Sequence, residues 1–255
     1  MIDATDMSAG TAPLAGSVRG VWALNEAERR DMFALYDTYY VGADLSAFLR
    51  DLDDKTYAVL LHDAHGRVRG FSTLKVFDHE HGRILYSGDT IIDKAWWGRN
   101  DFAQVWLKLA GSIRAERPDL PLYWLLIVKG HRTYRYLSLF ARDYYPKPKA
   151  AGPTELKSLM DDVATVHFGP AYVADKGLVF FPAPRSYLRE ELVPILPKDR
   201  ARADVQYFLE KNPGYAKGDE LVCFCDLQPD NLTRLSRGWF EEGEAEASYR
   251  VRAVC

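Results

Sequence analysis

The chain has 255 residues, 47% hydrophobic and 27% charged, with a formal net charge of −3. That size suits one large domain, or one domain with an elaboration, and the composition is that of an ordinary globular chain. A slightly acidic balance offers no field to nucleic acid, and no apolar run approaches the ~18 residues of a membrane span, so neither nucleic-acid binding nor membrane insertion is expected.

Residues 1–17 are small, polar and punctuated by Pro and Gly, with no basic stretch leading into an apolar one. They are expected to form a disordered tail rather than a signal peptide, and the protein is expected to be cytoplasmic, with reduced thiols. Three cysteines do not make a disulfide framework: Cys223 and Cys225 stand two apart on one face of a strand, and Cys255 ends the chain.

A first strand is read over 17–25. An amphipathic helix follows over 25–40, with Asn25 and Glu28 in capping-box spacing and a stripe of Met32, Phe33, Leu35, Tyr36, Tyr39 and Tyr40. A short helix spans 42–54. Residues 55–77 read as a hairpin and 83–93 as a third strand of the same meander, in which Gly88 marks a bulge or a close backbone approach. A helix over 102–118 ends at Pro118, the apolar run 122–128 suits a strand buried on both faces, and 131–145 is helical. Beyond Pro146 the pattern gives a helix at 152–169, a strand within 171–181, a helix at 201–214, a strand at 219–227 and a helix from 229 to about 247. The fold class is therefore α/β of the α+β type: a central mixed, mostly antiparallel sheet flanked by helices. The parts are a tail (1–17), a core (18–148) and a C-terminal part (149–255) that completes the sheet and carries inserted helices.

The order strand, two helices, three-strand meander, helix, strand, helix over residues 18–146 resembles the GNAT superfamily of acyl-CoA N-acyltransferases. The resemblance covers most of the chain by topology. It makes 102–117 the cofactor helix, 122–128 a splayed strand, and 173–181 with 220–227 the last two strands. It implies that the turn Trp97, Gly98, Arg99, Asn100 binds the pyrophosphate of a coenzyme A thioester through backbone amides and the following helix N-terminus. On the family's Arg-Gly-x-Gly-x-Gly form only Gly98 matches; Asn100 and Phe102 replace glycines, and Asp101 brings a negative charge that Arg99 offsets. The family's general-acid Tyr falls on Phe140, which has no proton to give, so Tyr136, one turn earlier, is the substitute. A carboxylate on the fourth strand would be the base, and Asp89 follows Gly88 there.

Lys129, His131, Arg132 and Arg135 cluster around a helix start, and Arg132 and Arg135 are the candidates for holding a substrate carboxylate or phosphate. His79 and His81 at a turn offer only two ligands; they are read as a polar hairpin tip, and no metal is expected. The activity implied is acyl transfer from acyl-CoA or an acyl-carrier protein to the amine of a small molecule, with aromatic density (15 Tyr) suited to a long acyl chain. The alternative is a catalytically inactive GNAT-like ligand-binding or interaction protein. Homo-oligomerisation is a further expectation of the aromatic-rich composition.

Overall fold

The computed structural model describes residues 12–148, 154–182 and 186–252. Most of the expected tail, residues 1–11, and Cys255 lie outside them. The remainder of the tail is corrected: strand β1 runs Ala15–Gly20, and Leu14 is already buried. Val21–Ala23 is a 3-10 turn rather than a continuation of that strand.

Helix α1 (Glu26–Tyr39) starts as its sequence dictates. Asn25 Oδ1 accepts from Glu28 N at 2.9 Å and Asn25 N donates to Glu28 Oε2 at 3.0 Å, so two otherwise unpaired donors are satisfied. The two-residue strand β2 (Tyr40–Val41) and helix α2 (Leu45–Asp53, capped by Asp44) follow. Next comes the meander β3 (Tyr57–His62), β4 (Val68–His79) and β5 (Gly82–Ile92). Helix α3 (Asp101–Glu116) crosses to β6 (Leu122–Val128), and α4 (His131–Phe140) leaves it. The C-terminal part adds α5 (Thr154–Phe168), β7 (Tyr172–Val173), β8 (Leu178–Val179), β9 (Tyr187–Leu188), α6 (Pro197–Arg200), α7 (Ala203–Lys211), β10 (Glu220–Asp226) and α8 (Arg234–Arg252). The single strand expected within 171–181 is a hairpin of two short strands, reversed at Gly177 with φ +63°.

The main sheet has the order β1-β3-β4-β5-β6-β10-β8-β7. Only the central pair β5/β6 is parallel among the described strands, because α3 carries the chain back across the sheet between them. Strand β10 inserts between β6 and β8, so the C-terminal part is built into the same sheet. One face is packed by α3, α4, α7 and α8, with Trp106, Trp124, Phe140, Phe208 and Phe240 at its centre. The other is packed by α1 and α2 over β3 and β4, and by α5 over β5, β6 and β10. Helices α3 and α8 cross at glycines: a Cβ on Gly111 would lie 2.0 Å from Phe240 O, and one on Gly243 2.0 Å from Lys108 O. Among the described residues, no helix is long and apolar enough to cross a membrane.

Candidate active site

The site begins where the two parallel strands part. Pairing of β5 with β6 runs from Arg83↔Leu122 to Ser87↔Leu126 and then stops. At the same place β5 is out of step with β4: Ser72 pairs Thr90 and Leu74 pairs Ser87, so Gly88 and Asp89 together face Thr73. That is a β-bulge, and it re-aims the side chain it carries. Gly88 is required there by crowding. A Cβ would lie 2.7 Å from Thr73 Oγ1 and 2.9 Å from the Cε of Lys55, a buried lysine whose Nζ reaches Asp51 Oδ1 at 2.7 Å and Asp51 O at 2.9 Å.

Beyond the parting strands lies a cavity of about 1040 Å³, with Asp89 in its wall. Asp89 makes no hydrogen bond or ion pair among the described residues, and its carboxyl is pushed up to about 7. Burial is the main cause, the negative charge of Asp51 adds to it, and Lys129 offsets part of it. Lys129 stands at the end of β6, with Nζ 3.1 Å from Glu220 Oε1 and 5.3 Å from the ring centroid of Tyr40. Burial disfavours its charge, but Glu220, Tyr40, Tyr36 and Asp89 together outweigh that and hold the ammonium protonated. Tyr36 and Tyr40 stack at 4.7 Å, and the Tyr36 hydroxyl is hydrogen-bonded to Ser186 Oγ. Burial pushes Tyr36 up to about 12. The strand pair β2/β9 holds the inserted segment against this end, where Ser186, Leu188, Leu192 and Val193 line the cavity.

At the other end Trp97, Gly98, Arg99 and Asn100 all line the cavity ahead of α3. Gly98 has φ +84° with open space around it, the left-handed conformation that favours glycine. Trp97 Nε1 donates to Ile92 O at 2.7 Å, which fixes the turn to the end of β5. Arg99 Nε lies 2.6 Å from Asp101 Oδ2, so the offset of charge expected from the sequence is a direct ion pair. Neither α3 nor α4 has a side-chain cap, and both start beside the cavity, at Asn100 and Gly130. The first N–H groups of a helix lack intrahelical partners and favour an anion.

Arg132 reaches the cavity wall stacked on Trp97, with its guanidinium carbon 4.2 Å from the ring centroid. Arg135 also lines the cavity but faces Asp204 at 3.7 Å, an acid that Arg202 holds as well, at 2.9 Å. The basic cluster read around the start of α4 is thus divided. Lys129 is paired with Glu220, His131 is buried and pushed down to about 4 by burial, and Arg132 is the cation presented to the cavity. Tyr136 lines the cavity between Phe102 at 5.2 Å and Phe140 at 5.3 Å, and burial pushes its phenol up to about 12. Phe140 packs on Trp106 and Trp124 as a core residue.

All eight sequence-selected residues, Asp89, Tyr136, Trp97, Gly98, Arg99, Asn100, Arg132 and Arg135, therefore border one cavity. Sequence reasoning missed Tyr36 and Tyr40, absorbed into a helical core stripe, and Glu220, which opens an apolar strand. A charged residue at the first position of such a strand is the signal that could have found it.

No family model matches the sequence, and no curated relative matches it. Among solved structures, a GNAT-family N-acetyltransferase (YhbS) from Escherichia coli in complex with CoA is similar at 16% identity and a TM-score of 0.37, over 51% of this chain and 70% of that one. A probable N-acyltransferase from Enterococcus faecalis is similar at 12% identity and 0.37, over 59% of this chain and 43% of that one. A GNAT-family acetyltransferase from Staphylococcus aureus matches at 11% and 0.37, over 55% and 90%. These overlaps span little more than half of this chain. The chain's own strand order carries more: a meander, a crossover helix, a parallel strand that parts from the meander, and a final strand, β10, inserted beside it. By that order the chain is similar in fold to the GNAT superfamily.

Proposed function

We propose that the protein is an acyltransferase that moves an acyl group from a thioester, acyl-CoA or acyl-carrier protein, onto the amine of a small molecule. The observation that carries this reading is Asp89: an unpaired carboxylate with a pKa of about 7, on a bulge, facing a large cavity that continues to two uncapped helix N-termini. A base poised near the working pH is what deprotonation of an attacking amine needs. The helix starts and Arg132 suit the phosphates of a pantetheine-bearing donor. The nitrogen lone pair forms the new C–N bond at the thioester carbonyl while Asp89, directly or through a water, takes the ammonium proton. A backbone amide at the Gly88–Asp89 bulge, where the ladder to β4 is interrupted, is the candidate donor to the developing oxyanion. Collapse breaks the C–S bond, and Tyr136, protonated at neutral pH, gives its proton to the departing thiolate.

The test is thiol release from acetyl-, octanoyl- and palmitoyl-CoA, and from the matching carrier-protein thioesters, against a panel of amines. Amine-dependent release that is lost in Asp89→Asn supports the reading. Donor binding by calorimetry without release supports a ligand-binding protein instead, and the absence of both binding and release overturns the proposal.

A further inference from the structure

His79 ends β4, His81 lies in the turn to β5, and Asp162 projects from α5. None of them lines the cavity. The sequence offers two imidazoles two residues apart; folding supplies a third donor from a distant helix. The His81 ring nitrogen Nε2 is 3.2 Å from Asp162 Oδ2, the His79 and His81 ring centroids are 5.3 Å apart, and one ligand atom from each of the three residues lies within 4.8 Å of the others. We propose that His79, His81 and Asp162 form a divalent transition-metal site, of the Zn²⁺ class, that fastens the β4–β5 hairpin tip to α5.

The donor set fits that class. Two imidazoles and one carboxylate suit a borderline ion such as Zn²⁺, whereas Mg²⁺ and Ca²⁺ require oxygen donors. A tetrahedral site with bonds of about 2.1 Å places its donors roughly 3.4 Å apart. The His81–Asp162 pair is already at that spacing, and His79 closes the rest by rotating a partly exposed side chain. Glu80, 3.9 Å from His81 Nε2, adds negative charge beside the site. The two elements are also pre-assembled by a second contact: Phe77, further back on β4, stacks on His167 of α5 at 4.9 Å with the rings 4° from parallel. The loop-closure entropy of bringing hairpin and helix together is therefore met by folding rather than by the ion. The fourth coordination position faces solvent, since His81 and Asp162 keep about half their side-chain surface exposed (48% and 49%).

The experiment is calorimetric titration of the chelator-treated full-length protein with ZnCl2, with MgCl2 as the control ion and Cys255→Ser run in parallel to remove the C-terminal thiol. One equivalent of Zn²⁺ is expected to bind in the micromolar range with no Mg²⁺ response. The melting temperature should rise by about 5 °C at a hundredfold excess of zinc over Kd. His81→Ala and Asp162→Asn are each expected to weaken binding by about tenfold or more, and His79→Gln likewise, while His65→Ala, at another turn, changes nothing. All four positions border turns or an exposed helix face, so circular dichroism should report unchanged folding. Absence of saturable zinc binding, or binding that survives loss of both His81 and Asp162, overturns the proposal. Neither result bears on acyl transfer, which is tested at Asp89.

Discussion

Lys129 Nζ and Glu220 Oε1 lie 3.1 Å apart at the inner end of the cavity, with 15% and 8% of their side chains exposed. The pair joins the end of β6 to the start of β10 and places one cation within electrostatic reach of Asp89. Losing one partner of such a pair leaves the other charge buried, which costs about 3–5 kcal/mol in sealed cases. Glu220→Gln removes a negative charge that raises the Asp89 pKa, so the acid limb of the kcat/KM profile should move to lower pH. Lys129→Met should move it to higher pH. A pH–rate series on both variants, with urea unfolding to correct for stability, checks the two opposite signs.

Asp89→Asn should lower kcat by roughly 10²–10⁴-fold, the range for a positioned general base. It should also change stability in a pH-dependent way. The Asp89 carboxyl is raised from 3.8 to about 7 in the folded protein, so between those values the native state holds a proton that the unfolded chain has released. The Asp89 contribution to stability therefore falls as pH rises from about 4 to about 7 and then levels, against an opposite rise from His131 and His167, whose rings burial pushes down to about 4. The Asn variant lacks that fall and should be the more stable protein at pH 8.5, by a few kcal/mol at most, the equivalent of about three pKa units. Denaturant midpoints at pH 5 and 8.5 measure the difference.

If Tyr136 protonates the leaving thiolate, Tyr136→Phe should cost about 10²-fold in kcat with an alkyl thioester and far less with an aryl thioester, whose thiolate departs without a proton. Because burial raises the Tyr136 phenol to about 12, the wild-type profile should show no limb from its ionisation below pH 10. An equal loss with both donors would assign Tyr136 to packing against Phe102 and Phe140 instead.

Gly111→Ala should destabilise the fold without touching the cavity. The added methyl meets the Phe240 carbonyl at 2.0 Å, and backbone on both sides must move. Overpacking of this kind costs typically 1–3 kcal/mol. Urea midpoints read the loss, and kcat of the folded fraction should be unchanged.

Much of this protein is determined locally. The capping box at Asn25, the helical stripe of α1, the apolar strand β6, the bulge signalled by Gly88 and the turn at Gly98 are patterns of neighbouring residues, and the sequence by itself sets them. The same local reading failed where the polar turn Asp175-Lys176-Gly177 was read through as part of one strand, and where a strand began in small residues at Ala15. What only the tertiary structure decided is which charges meet. Asp89 owes its pKa to burial and to Asp51 from α2, Lys129 finds Glu220 across the sheet, Arg135 is drawn to Asp204, and His81 meets Asp162. Periodicity follows from backbone geometry over a few residues, whereas an electrostatic interaction depends on a through-space distance and on the water excluded around it. Packing sets both.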